Sequence, residues 1–99
     1  MFIKTLIVEK DRPAHIAKHN ITIEEVDQVL SGDYVFIKAR EDRWLVIGKT
    51  KKGRFLTIVV GERREKDTYG LVTARPTRKE EKSFYSEYTV TLGGETNDE

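Results

Sequence analysis

Apolar and polar positions along the chain fall into two periods. A period near two recurs in residues 2–8, 34–38, 43–49, 54–60 and 68–75, each with β-branched or aromatic residues, and predicts five strands. In residues 55–60 both parities are largely apolar, so this strand is expected at the centre of the sheet, covered on both faces. The helical signals lie between and after them. Pro13 suits a first turn, with Asp11 as candidate cap and Asn20 as the stop of a short first helix. Thr22-Ile23-Glu24-Glu25 reads as a capping box flanked by an Ile21/Val26 staple. Val26, Val29 and Leu30 form the buried stripe of this second helix, and Gly32 is expected as its left-handed stop.

Thr50-Lys51-Lys52-Gly53 has the length and glycine of a tight hairpin, and residues 61–66 form a charged turn. After Pro76, Thr77-Arg78-Lys79-Glu80 reads as a second capping box, opening a last helix to about Tyr88. On it Glu81, Tyr85 and Tyr88 share a face, and Phe84 and Tyr88 are expected to pack on the sheet. The tail of residues 93–99 has no apolar anchor and is expected to be disordered, leaving one domain over residues 1–92. The order is β-α-α-β-β-β-β-α: an α+β domain with an antiparallel sheet packed by helices.

Composition narrows the function classes. The 99 residues hold no cysteine, which removes disulfide frameworks, zinc ribbons and thiol nucleophiles and makes a reducing cytoplasm the expected compartment. No apolar run is long enough for an export signal or a membrane span. Charge changes the picture more. The 18 Lys+Arg and 17 Asp+Glu nearly cancel, yet residues 38–79 hold 13 basic and 5 acidic residues, a balance of +8, and the remainder stands at −7. A basic middle of this kind suits phosphate, and two solvated faces that cancel in space are the ordinary alternative.

Candidate chemistry is sparse. Asp11, His15 and His19 stand at i, i+4 and i+8, but the general-base Glu of a His-Glu-x-x-His site is absent and Lys18 adds positive charge, so no metal is assigned. Arg75 ends an apolar strand where a helix begins, a place that welcomes phosphate. Arg54 opens the central strand and Arg63 and Arg64 close it, so strand pairing decides which of them can join Arg75. Gathered together, they form a guanidinium clamp for phosphodiesters; singly, each is a surface ion pair. Tyr85 and Glu81, one turn apart, form either a polar pair or packing plus a surface charge.

Three stretches, Lys18-His19-Asn20-Ile21-Thr22-Ile23-Glu24-Glu25-Val26, Gly53-Arg54-Phe55-Leu56-Thr57-Ile58-Val59 and Leu71-Val72-Thr73-Ala74-Arg75 with Glu81 and Tyr85 after it, together resemble the BrnT family of bacterial type II toxins. The resemblance covers roughly residues 15–88 and identifies the chain as a divergent member. It implies a RelE-like fold and a cofactor-free, metal-independent endoribonuclease acting on single-stranded RNA through the substrate's 2′-hydroxyl. It makes Arg75 and Arg54 the charge clamp and His19, Glu81 or Tyr85 the proton-transfer candidates. Lys51, Lys52, Arg63 and Arg78 become RNA-binding residues. The implied partners are single-stranded RNA, a cognate antitoxin that is itself a small DNA-binding protein, and a second copy of the chain as a homodimer, with no membrane involved. A non-catalytic RNA- or protein-binding module on the same scaffold is the alternative.

Overall fold

The structure, a computed structural model, describes the backbone of residues 1–97 and the side chains of residues 1–88. Strands β2 (Tyr34–Arg40), β3 (Arg43–Lys49), β4 (Phe55–Glu62) and β5 (Thr68–Pro76) form an antiparallel meander. Strand β1 (Thr5–Ile7) adds to the outer side of β5, giving the order β1-β5-β4-β3-β2. It runs parallel to β5, so the sheet is mixed rather than wholly antiparallel. The long crossover between β1 and β5 permits that direction, whereas the short loops of the meander enforce the antiparallel one. Helices α1 (Arg12–Ala17), α2 (Ile23–Ser31) and α3 (Lys79–Asn97) complete the expected α+β order.

Side-chain alternation sorts the sheet into two faces. Val46, Leu56, Ile58, Val60 and Ala74 join Ile16, Ile21, Val26 and Val29 of the α1–α2 segment in one core cluster, all but fully buried. On the opposite face Thr57 meets Glu81 of α3, and Val35 and Ile47 are buried on the same side. β4 is thus covered on both faces, as its composition predicts. Each fully buried aliphatic side chain contributes about 1.5–3 kcal/mol, so this two-sided strand anchors the molecule.

Local signals are honoured unevenly. The Thr22 hydroxyl accepts from Glu25 N–H at 3.1 Å and the Glu25 carboxylate accepts from Thr22 N–H at 3.0 Å, so the α2 capping box is complete. Asn20 takes the left-handed conformation, φ 61°, at the end of the first helical segment. The 50–53 turn closes with Gly53 at φ 88°.

Other expectations are corrected. Gly32 is extended, φ −106°, because α2 leads straight into β2; its N–H instead closes a short turn onto the Val29 carbonyl. Asp11 precedes α1 but caps no N–H, because both carboxylate oxygens accept from the Arg12 guanidinium. The second capping box shifts by one residue: α3 starts at Lys79, and Glu81, not Glu80, accepts the backbone N–H of Arg78. Thr77 instead turns its hydroxyl to Thr57. Phe84 and Tyr88 stack on each other in largely exposed positions, and Tyr85 is the aromatic that packs inward. α3 also continues past the expected end at Tyr88 to Asn97; the final two residues of the expected tail lie outside the described residues.

Candidate functional site

The register of β4 and β5 decides which arginines can meet. Thr57 lies opposite Arg75 and Glu62 opposite Tyr69, so Arg75 stands at the hairpin end of β4 and Arg63 at the far end. Arg63 is held there, with Glu9 at 3.5 Å and its guanidinium over Gly70. It does not belong with Arg75.

Arg54 is at the correct end but is turned to the other face. Its Nη1 donates to the Asn20 carbonyl at 2.6 Å and to the Glu25 carboxylate at 3.2 Å, and its Nη2 donates to the His19 carbonyl at 3.3 Å. Arg54 therefore ties the β3–β4 hairpin to the α1–α2 loop, on the face opposite α3. The expected Arg54–Arg75 clamp is not assembled. His19 lies on that same loop, beyond the end of α1 at Ala17, so the continuous helical face of Asp11, His15 and His19 is absent as well. Among the described residues no group of three such side chains is close enough to hold a metal ion.

What the structure does assemble is centred on Arg75 and Glu81. Arg75 Nη1 donates to Glu81 Oε1 at 2.9 Å and Nη2 to Oε2 at 2.7 Å, a bidentate fork with little exposure on either side. Glu81 Oε1 also accepts the Arg78 backbone N–H at 2.9 Å and the Thr57 hydroxyl at 2.8 Å. Thr57 has one proton and gives it to the carboxylate, so the Thr77 hydroxyl, 3.1 Å away, donates to Thr57 in turn. Arg75 holds the Glu81 carboxyl down at about 2 against the opposing effect of burial, with the Arg78 amide and Thr57 assisting. The hydrogen bond to Glu81 raises Arg75 reciprocally. Glu81 is thus an anion with a filled Oε1, suited to fixing Arg75 rather than to moving protons at neutral pH. The fork occupies the end of the guanidinium and leaves its Nε–H edge without a partner among the described residues.

Beside this pair lies a cationic and aromatic ledge. Tyr85 meets Phe55 edge to face, with centroids 5.1 Å apart. Lys49 Nζ lies 5.1 Å from the Phe55 centroid and 6.0 Å from that of Tyr85, and Lys82 Nζ lies 5.7 Å from Phe55. Lys49, Lys82 and Arg78 are exposed, as are Lys51 and Lys52 at the hairpin tip. Lys51 N–H donates to Gln28 Oε1 at 3.0 Å, which leans the hairpin onto α2. Nothing local in the sequence marks Thr77, Lys49, Phe55 or Lys82 as site residues, and Thr57 alone carries a hint. A threonine in the middle of an otherwise apolar central strand was the one available signal, since a buried hydroxyl needs a partner.

The family model described as the ribonuclease toxin BrnT of type II toxin-antitoxin systems matches residues 9–81, a span that includes Arg54, Thr57, Arg75 and Glu81 and ends before Tyr85. In fold the chain is similar to the Brucella abortus ribonuclease toxin BrnT, with a TM-score of 0.59 and 17% identity over 76% of this chain and 97% of that one. No curated protein sequence matches. With residues 9–81 matched, the chain belongs to the BrnT family of ribonuclease toxins of type II toxin-antitoxin systems.

Proposed function

We propose that this protein is the toxin of its toxin-antitoxin pair, a metal-independent endoribonuclease of the cytoplasm that cuts single-stranded RNA at the Arg75 ledge. The observation that carries the reading is the Arg75–Glu81 fork: an arginine fixed by a fully ionised carboxylate, with one N–H edge unclaimed, next to exposed lysines and two aromatic rings. In the reaction, the substrate's 2′-hydroxyl oxygen attacks the adjacent phosphorus and the P–O5′ bond breaks. The 2′-hydroxyl gives up one proton and the departing 5′-oxygen takes one up, so the products are a 2′,3′-cyclic phosphate and a 5′-hydroxyl. Charge builds on the non-bridging oxygens in the transition state, where the Nε edge of Arg75 and the Lys49 and Lys82 ammonium groups stabilise it. Glu81 is a positioning residue that holds the guanidinium ready. Tyr85, on the ledge, is the group that moves a proton, and its ring with Phe55 supports a base splayed from a single strand. Arg54 is a brace for the α1–α2 loop. The cognate antitoxin, a small DNA-binding protein, covers this ledge and blocks the RNA.

Purified protein is expected to cleave RNA in the presence of EDTA and to leave a 2′,3′-cyclic phosphate terminus, detected by mass spectrometry of the fragments. Arg75→Ala is expected to lower the cleavage rate by about 10²–10³. Loss of wild-type cleavage in EDTA overturns the metal-free chemistry. Salt-sensitive RNA binding with no product from wild-type protein favours the non-catalytic binding module.

A further inference from the structure

We propose that the cleft between α2 and the β3–β4 hairpin is a base-binding subsite that selects guanine in the RNA substrate, an inference that rests on the ribonuclease reading above. The cleft holds about 490 Å³ and is lined by Asp27, Gln28, Ser31, Gly32, Lys49, Thr50 and Lys51. That volume lies in the range of small-molecule sites, roughly 300–1,000 Å³. Lys49 belongs both to this wall and to the ledge, where its ammonium lies over Phe55 and Tyr85. Lys49 thus stands between the ledge on the α3 face and the cleft on the α2 side, and a strand of RNA whose phosphate sits at Arg75 reaches the cleft by passing over the hairpin end.

The polar groups of the cleft have fixed senses. A backbone N–H can only donate, so the bond from Lys51 N–H fixes the Gln28 amide with its oxygen toward the hairpin and leaves its NH₂ as a donor. Asp27 is exposed and forms no ion pair among the described residues, so both carboxylate oxygens remain free to accept. Asp27 thus presents two adjacent acceptors to the cleft. Guanine carries the matching pair of donors, N1–H and N2–H₂ side by side. Adenine, cytosine and uracil each place at most one donor group on the Watson–Crick edge, flanked by acceptors or carbon. A carboxylate that takes two donors from guanine takes one from any of the others, while an acceptor of those bases faces its second oxygen.

Gly32 fits the same purpose. Its backbone is extended and a Cβ built there meets nothing closer than the Gln28 carbonyl at 3.6 Å, so neither conformation nor crowding requires glycine. The missing side chain instead keeps the cleft open.

The test is equilibrium binding of the four nucleoside 3′-monophosphates, and of inosine 3′-monophosphate, to the full chain by calorimetry, paired with mapping of cut sites in a mixed-sequence RNA. Guanosine 3′-monophosphate is expected to bind at least about 10-fold more tightly than the other three. Inosine 3′-monophosphate, which lacks the N2 amino group, is expected to lose most of that advantage. Asp27→Asn is expected to abolish the preference, with circular dichroism confirming the fold, and cut sites are expected beside guanines. Equal affinity for all four mononucleotides overturns the subsite and leaves the ribonuclease reading standing if RNA is still cut. Guanine-selective binding with no cleavage of any RNA overturns the ribonuclease reading and retains the subsite.

Discussion

At the scale of single residues, the structure separates groups of like chemistry by their partners. Arg54, Arg63 and Arg75 are interchangeable in composition, yet one braces a loop, one closes the far end of a strand against Glu9, and one stands on the ledge. Glu81 makes the difference for Arg75, and its ionisation gives a pH test. A carboxyl held at about 2 in the folded chain, below the ordinary carboxylate value, adds stability that is complete above that ordinary value. The contribution is lost as the pH falls toward 2. Glu81→Gln is therefore expected to cost on the order of 3 kcal/mol at pH 7 by urea denaturation. The gap from wild type should close as the pH is lowered from about 5 to 2. A gap that stays constant over that window would show that Glu81 contributes by packing alone.

At the scale of elements, close approach of α2 to the sheet is set at Gly48. A Cβ there would lie 2.9 Å from Val29 Cγ1 and 3.2 Å from the Asp33 carbonyl and Tyr34 Cβ. Gly48→Ala is expected to destabilise the chain by about 1–3 kcal/mol, read as a lowered urea midpoint. Elements of this kind were largely legible in the sequence, because capping boxes, hairpin turns and alternation are local signals. The β3 boundaries and the Thr22 box fall as read, and β4 is central as its two apolar parities require. What was not legible depended on pairing at a distance. Nothing near Thr77 tells it to prefer Thr57 to an α3 amide, and nothing near Arg54 places the Asn20 carbonyl within its reach. The site divided in the same way. Arg75, Glu81 and Tyr85 share one face because strand, turn and helix follow one another directly, whereas the register puts Arg63 at the far end of β4, side-chain alternation turns Arg54 to the other face, and His19 lies on the α1–α2 loop.

At the scale of the whole molecule, the segregated charge of the sequence is folded back on itself at a few arginines only. Arg54, Arg63 and Arg75 of the basic stretch each meet an acid from the flanks, and Lys38 meets Glu62. Of the exposed cations that form no ion pair among the described residues, Arg40, Arg43, Arg64 and Lys66 lie at the far end of the sheet, while Lys49, Lys51, Lys52, Arg78 and Lys82 gather at the hairpin end, beside the ledge. RNA affinity should therefore fall with salt through this second group. Lys51→Ala with Lys52→Ala should make the slope of log affinity against log salt shallower by about 1.4. Arg63→Ala, at the other end of β4, should leave that slope unchanged in the same fluorescence titration, and an equal loss from both variants would refute this division of the surface. No helix among the described residues is long and apolar enough to cross a membrane.

The pairing of β1 with β5 has a consequence in time. Every other strand contact joins neighbours in the chain, but Thr5 must find Thr68 across most of the sequence. Such a contact closes late and opens early, because its loop-closure entropy is the largest in the sheet. The earliest-made strand of this sheet is thus the last to dock, and it must wait until the strand that leads into Arg75 has been made. Amide hydrogen exchange should show it, with the β1 amides exchanging well before those of β3 and β4.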